Sequence, residues 1–537
     1  MNKVRPTQPI TQAADGTQPP SVSAPQPGPA SEDGGLGGRH VARAARGGAL
    51  NLAGALVSGL SAFALAAVVT NGHSKAEAGA FFTTTALFLL ATNIGQLGTN
   101  TGVVYFISRA RGTGSLRNAG VYMRLGMRPV LILGVALAVA MWVWAQPLAE
   151  LMSNGPVDSA VASSIRWLAP FVPLAAVLNV SLSGTRGLGS MKANAILDQL
   201  LRPLLQLGLV AVAAWVISAD QMPTFWAIPY LPAAVLAWWA WRKMSLRATG
   251  GAKPDPGYLP RRAFWKFTLP RGLSGVAQVA MQRLDIILVA SLAGVGPAAV
   301  YAATTRFLSL GLLANGAISQ AVQPLLGEAL GRGDQRSARE LYQTATGWLV
   351  IGAWPIYFFL IIFAPTILRV FGGGYGDGRP VLLILSVSMI VGTGCGMVSM
   401  VLTMAGKTTW NLANVLVAFG VNIGLDLLLI PHYGIVGAAV GWAVAIVTAN
   451  LIPLIQVSVA FKLHPFGRGA LVSMGLATVF MGLLPWCIQL RLGQGAQSLA
   501  VAAVVSGFVY AVMLWVTRRQ TALVDLLSAG RRRTRSS

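Results

Sequence analysis

Apolar runs of about twenty residues, separated by short polar turns, recur along most of this chain. Each is long enough to cross a hydrocarbon layer as a helix. Fourteen such spans are expected: 48–70, 79–98, 129–148, 168–184, 195–217, 225–241, 273–293, 298–326, 346–368, 381–404, 412–430, 435–457, 471–488 and 499–516. Several contain Gly or Pro, which membrane helices tolerate. The expected fold is an all-α integral membrane protein. Ahead of the first span, residues 1–45 are rich in Pro, Gly, Ser, Gln and Ala without an apolar run, which reads as a disordered tail. That tail lacks the short basic start and apolar core of a signal peptide.

The polar turns divide by charge. One set carries Arg109, Arg111, Arg117 and Arg124, then Arg186 and Lys192, then the long basic stretch with Arg242, Lys243, Arg247, Arg261 and Arg262. The same set continues with Arg332, Arg336, Arg339, Lys407, Lys462 and Arg468. The intervening turns are nearly bare of basic residues. This alternation places the basic turns and both termini in the cytoplasm, with an even number of spans between them.

Residues 82–119 align without a gap on residues 301–338, and Gly189-Ser-Met-Lys-Ala-Asn194 resembles Gly406-Lys-Thr-Thr-Trp-Asn411. Both copies run in the same direction, so the spans group as two parallel six-helix repeats followed by two additional helices. The expected organisation is a cytoplasmic tail (1–45), an N-terminal lobe (46–242), a basic linker (243–266), a C-terminal lobe (267–462), two added helices (463–517) and a basic tail (518–537). Paired repeats of this kind hold a substrate between them near the midplane.

The charges inside the spans mark that site. Counting about 1.5 Å per residue, Asp285 lies roughly 20 Å along the seventh span and Arg306 roughly 14 Å along the eighth. Arg283, Asp285 and Arg306 therefore share the middle depth of the membrane, where a charge is costly and is functional by default. Gln282 accompanies them. The two open readings are a cavity lining and a buried Asp285–Arg306 lock between helices. Arginine suits phosphate oxygens through its planar fork. Asp198 and Arg202, four apart, share a helix face and read equally as a local pair or a substrate contact. Asp426, with Asn422 one turn earlier, reads as an ion-coupling carboxylate or an interfacial residue. Asn93 and Gln96, with Thr83, Thr84 and Thr85, offer either sugar-binding groups or helix-packing contacts. The tryptophans Trp142, Trp144, Trp238, Trp239 and Trp241 read as interface belts.

Composition narrows the classes. Of 537 residues, 54% are hydrophobic and only 10% charged, far below the share in soluble proteins, and mean hydropathy is +0.63. The net charge of +24 arises from the basic turns and tails, so no nucleic-acid partner is expected. The two cysteines and four scattered histidines form neither a disulfide framework nor a metal set, and no cofactor is expected. The short outer turns lack an acid/base constellation, so an enzyme is not expected.

The chain resembles the polysaccharide (Wzx-type) branch of the multidrug/oligosaccharidyl-lipid/polysaccharide exporter superfamily. The resemblance rests on the six-plus-six-plus-two arrangement and on local sequence. Gln96-Leu-Gly-Thr-Asn-Thr-Gly102 with Arg109 and Arg111 matches the end of the second span. Arg186 to Lys192 matches the 4–5 turn, Leu269-Pro270 with Asp285 and Val295 to Tyr301 matches spans 7–8, and Asn422, Asp426 and Ile430 to Ala439 match the 11–12 turn. It implies flipping of a lipid-linked oligosaccharide, carried on undecaprenyl pyrophosphate, across the bacterial cytoplasmic membrane for envelope polysaccharide. It also implies membrane lipids and a polysaccharide polymerase or glycosyltransferase as partners. The alternatives are an ion-coupled multidrug or metabolite antiporter and a lipid II flippase. The first span lacks the basic residues of the lipid II branch and the acidic residue of many drug exporters.

Overall fold

The computed structural model describes residues 34–153, 159–216 and 220–521, and among these the regular structure is helical. Helices are the expected outcome: within hydrocarbon a helix satisfies every backbone group internally. In the N-terminal half they are α1 (Gly34–Gly72), α2 (Lys75–Gly95), α3 (Thr99–Gly112), α4 (Leu116–Val143), α5 (Phe171–Gly187), α6 (Asn194–Val216) and α7 (Tyr230–Thr249). The C-terminal half has α8 (Arg261–Ala293), α9 (Val295–Arg306), α10 (Leu308–Gly331), α11 (Gln335–Ile362), α12 (Arg379–Gly394), α13 (Thr408–Tyr433) and α14 (Ile435–Phe461). Two more follow, α15 (Arg468–Leu492) and α16 (Ala496–Val516).

Among the described residues, eleven helices are long and apolar enough to span a membrane, or twelve if the bent pair Ala160–Leu168 and Phe171–Gly187 is one span. Fourteen is not reached on this criterion, for local reasons. The segment expected at 298–326 is interrupted at Phe307, whose ring packs against Phe63 and Phe371 at 5.0 and 5.1 Å. The segment expected at 225–241 is displaced into α7, which runs on through Arg242, Lys243 and Arg247. The N-terminal tail also differs from expectation where it is described. Helix α1 starts at Gly34, so the Ala- and Arg-rich stretch around 41–46 is helical, as its high propensity allows. The rest of that tail, up to residue 33, and the basic tail beyond 521 lie outside the described residues.

The repeat is visible in the helix ends. The gapless register that pairs 82–119 with 301–338 also pairs the last residue of α3 with the last of α10. It pairs both ends of α4 with both ends of α11. Lipid-facing surfaces are apolar: Trp142, Trp144, Trp238 and Trp239 are exposed. Trp241 is not a belt residue. It is 4% exposed, and its ring fills the space left by Gly184 on α5, where a Cβ would come within 2.4 Å.

The two halves touch at both ends of the bundle. At the end with few charged turns, α2 packs against α9 so closely that a Cβ on Gly79 would lie 1.8 Å from the Val295 carbonyl oxygen. Lys75 pairs with Asp377 at 3.2 Å there, and Asn71 Nδ2 donates to the Val370 carbonyl at 2.8 Å. At the basic end Gly98, with φ +75°, lies against Gly272 and the Thr268 carbonyl, and Tyr105 stacks on Phe267 with centroids 4.1 Å apart. Small residues permit this approach between helices that have no hydrophobic driving force between them in lipid. Gly79→Ala is expected to disfavour the closed bare end by about 1–3 kcal/mol, the usual cost of overpacking. Oxidative crosslinking of cysteines placed at Lys75 and Asp377 checks this: the crosslink should form readily with Gly79 and fall steeply with alanine.

Candidate functional site

A cavity of about 480 Å³ lies within the C-terminal half, lined mainly by α8, α9 and α12–α14. Arg283 and Arg306, from α8 and α9, both line it, together with Gln282 and Asp285. Arg306 lies close enough to Arg283 to feel its charge. Both reach toward the other half: the Arg306 guanidinium sits 5.6 Å from the ring centroid of Phe82 on α2, and Arg283 interacts with Tyr230 of α7. The two guanidinium groups thus share the side of this cavity formed by α8 and α9, the helices that pack against α2 of the other half. Like charges so placed in an apolar surround repel each other, and an anion bound among them relieves the repulsion.

Asp285 faces a different set of partners. It is 3% exposed and its Oδ2 accepts from the Tyr301 hydroxyl at 3.0 Å. Its carboxyl lies close enough to that of Asp426 for the two charges to interact; Asp426 is fully buried on α13 and accepts from Asn422 Nδ2 at 3.0 Å. The Oδ1 atom of each carboxyl lacks a hydrogen-bond partner among the described residues. Gly441 on α14 makes room for this pair, since a Cβ there would come within 2.2 Å of Asp426 Oδ1. Two bare carboxylates in contact repel strongly, so this arrangement calls for a shared proton or a small monovalent cation.

The remaining candidates divide. Arg202 is held by Asp198 at 2.9 Å, with Gln206 at 3.1 Å and the Tyr230 hydroxyl at 3.3 Å, so its donors are already engaged. Through Tyr230 this network adjoins Arg283. Asn93 and Gln96 are not among the cavity residues. The Asn93 amide donates to the Leu89 carbonyl at 3.0 Å, and the backbone of Gln96 caps the end of α2. Thr84 and Thr85 bond to carbonyls of their own helix and pack in the interior. Besides Gln278, Gln282 and Asn315, the amides Asn411, Asn414 and Asn450 line the cavity, with Asn414 and Gln456 exchanging a reciprocal amide pair at 2.7 and 3.1 Å. Sequence reading passed over these and Tyr230. The available signal was an amide inside the apolar runs of α13 and α14; nothing in the sequence singles out Tyr230.

A bundle of membrane-spanning helices built from a repeat, with a polar cavity inside the second copy beside the helices that meet the first, is the architecture of a membrane transporter. The MatE family matches residues 52–198 and again residues 270–428, more than half of the chain, and the protein belongs to that family. Among solved structures, the chain is similar to lipid II flippase MurJ in its inward closed conformation. That likeness has a TM-score of 0.66 and 15% identity, covering 86% of this chain and 97% of MurJ. It is also similar to an inward-facing multidrug resistance MATE family transporter of the MOP superfamily, with a TM-score of 0.62 and 18% identity over 76% of this chain and 95% of that one. A third likeness is a MOP superfamily transporter from Pyrococcus furiosus described by the reverse polarity of its binding pocket. Its TM-score is 0.53 at 17% identity, over 78% and 95% of the two chains. No curated protein sequence matches significantly.

Tyr301→Phe leaves a buried carboxyl short of its hydrogen bond and is expected to cost about 1–3 kcal/mol of stability. A lowered melting temperature of the purified protein checks this, and an unchanged one would show that the bond is replaced by another donor.

Proposed function

We propose that this transporter flips a lipid-linked oligosaccharide, carried on undecaprenyl pyrophosphate, across the bacterial cytoplasmic membrane for envelope polysaccharide synthesis. The observation that carries the reading is the convergence of Arg283 and Arg306 in one cavity of the second half, on the helices that pack against the first. A pyrophosphate is a dianion or more, and two planar guanidinium groups offer it paired, directional donors. The amides of Asn411, Asn414 and Asn450 suit the hydroxyls of a sugar. MurJ, a lipid II flippase, shares the fold, which supports a lipid-borne cargo.

In this reading the halves, 46–242 and 267–462, alternate in opening at the two ends of the bundle. The linker 243–266 and the basic turns face the cytoplasm. Helices 463–517 flank the second half. The partners are the lipid-linked glycan, membrane lipids and a polymerase or glycosyltransferase that handles the glycan. Asp285 and Asp426 form the coupling site, binding a proton or monovalent cation whose gradient drives the change between states. Arg202, held by Asp198 and Tyr230, supports the cavity wall from the other half.

The second reading, an ion-coupled multidrug or metabolite antiporter, is favoured by the Asp285–Asp426 pair and by the MATE likeness. The arginines weigh against a cationic drug. A lipid II cargo is a third form of the same chemistry.

The test is protection of a labelled glycan on undecaprenyl pyrophosphate from an external sugar-modifying reagent in reconstituted vesicles. Flipping well above the protein-free rate is expected, falling by at least about tenfold in folded Arg283→Gln/Arg306→Gln, as loss of two charge-assisted contacts implies. A wild-type rate no faster than protein-free vesicles, alongside gradient-driven dye efflux, would transfer the assignment to the antiporter. Within the same assay, Asp426→Asn is expected to abolish acceleration by an imposed sodium or proton gradient. If neither gradient changes the wild-type rate, the carboxyl pair has no coupling role.

A further inference from the structure

A second cavity, of about 680 Å³, lies at the basic end, apart from the cavity of Arg283 and Arg306. Its walls are the start of α4 and the stretch 250–260 that leads from α7 to α8. That stretch is pinned in place. Asp255 pairs with Arg117 at 2.9 Å and exchanges two hydrogen bonds with Asn118, at 2.8 and 3.0 Å. The hydroxyls of Tyr122 and Tyr258 bond to each other. These contacts consume the carboxylate of Asp255. Three other cations in the cavity wall, Arg124, Arg128 and Arg261, have no side-chain hydrogen bond or ion pair with the described residues.

The surface beyond the cavity shows what kind of anion it suits. Arg124 and Arg128 lie one turn apart on an exposed face of α4. Continuing along that face, the same helix presents Leu131, Ile132, Val135 and Val139, which are 42–71% exposed. Trp265 lines the same cavity beside these arginines, and such an aromatic suits a membrane interface. A cationic recess opening onto an apolar groove matches an amphiphile with a phosphate at one end and hydrocarbon at the other. Free phosphate would satisfy the arginines but leave the stripe unexplained.

The internal repeat supplies an independent comparison. The register that pairs α4 with α11 places Gln343 at the position of Arg124 and Gly347 at that of Arg128. In the second half this face is covered: Gln343 bonds to His464, and Gly347 packs against Ala470 and Ser473 of α15. In the first half no described helix takes the corresponding place, and arginines stand where the second half has neutral residues.

We propose that this recess binds the phosphate headgroup of an anionic phospholipid from the leaflet at the basic end, with an acyl chain along the 131–139 face of α4. The headgroup ties α4, in the first half, to Arg261, the first residue of the helix that opens the second half. The lipid thereby spans the connection between the halves, whatever the cargo. Clustered basic side chains at this membrane depth are a recognised means of holding anionic headgroups.

The test uses the full chain, purified and delipidated, titrated with phosphatidylglycerol or phosphatidylcholine of matched chains and read by native mass spectrometry. Wild type is expected to retain a tight phosphatidylglycerol that phosphatidylcholine does not replace. Arg124→Gln/Arg128→Gln/Arg261→Gln should weaken it on the order of tenfold or more, with Arg247→Gln as a basic-end control that leaves it unchanged. Equal retention of the two lipids by wild type, or an unaltered triple variant, overturns the proposal. Displacement of the lipid by millimolar inorganic phosphate also overturns it and assigns the recess to a soluble phosphate. Should the triple variant fail to fold, phosphatidylglycerol with a photoreactive acyl chain is applied to wild type. Labelling concentrated in residues 131–139 supports the site, and labelling spread evenly over lipid-facing helices overturns it.

Discussion

A charged side chain in the middle of an apolar slab has to be given company, and that cost organises this molecule. Four ionisable residues of the second half, Arg283, Asp285, Arg306 and Asp426, converge on one region. Arg283, Asp285 and Arg306 line the cavity, and Asp426 on α13 lies close to Asp285. In the proposed function the arginines receive an anion and the carboxyls a proton or small cation. Tyr301 and Asn422 each supply one hydrogen bond to the carboxyls and leave one oxygen on each open. A fully satisfied pair would be a rivet; a partly satisfied one can change occupancy.

The contacts between the halves have the opposite character. They are made by backbone and small side chains at Gly79, Gly98, Gly102 and Gly272, with a few polar ties at the rims. Van der Waals packing of this kind is specific in shape but modest in energy, because lipid competes with it on nearly equal terms. The interior of each half, by contrast, is stitched by buried aromatic and amide contacts such as Tyr342 to the Cys395 carbonyl and Asn414 to Gln456. Stiff halves joined by a shape-dependent seam are what movement between two closed ends requires.

Departures from the repeat carry as much information as the repeat itself. Where α11 is covered by the added helices, α4 faces outward, and the exposed residues on it are basic near the turn and apolar beyond. A duplicated fold thus has unlike surfaces in its two copies, and the unlike surfaces are free to acquire unlike partners.

Sequence alone determined the membrane class, the helical fold, the repeat and the intramembrane charges. Each of these follows from one-dimensional quantities: run length, charge alternation and register. The ungapped register of residues 82–119 on 301–338 even located helix ends such as Gly112 and Gly331. Other features were decided only in three dimensions. Among the described residues eleven or twelve of the fourteen apolar runs meet the length and hydropathy of a span, since Phe307 interrupts one helix and α7 extends into its basic end. Asn93 and Gln96 were candidate substrate contacts, but neither lines this cavity, and the Asn93 amide bonds to its own helix. The meeting of Asp285 with Asp426, the approach of Arg283 to Tyr230, and the room made by Gly441 join residues far apart in the chain. Such proximity depends on how helices cross, which no pattern within a single helix encodes.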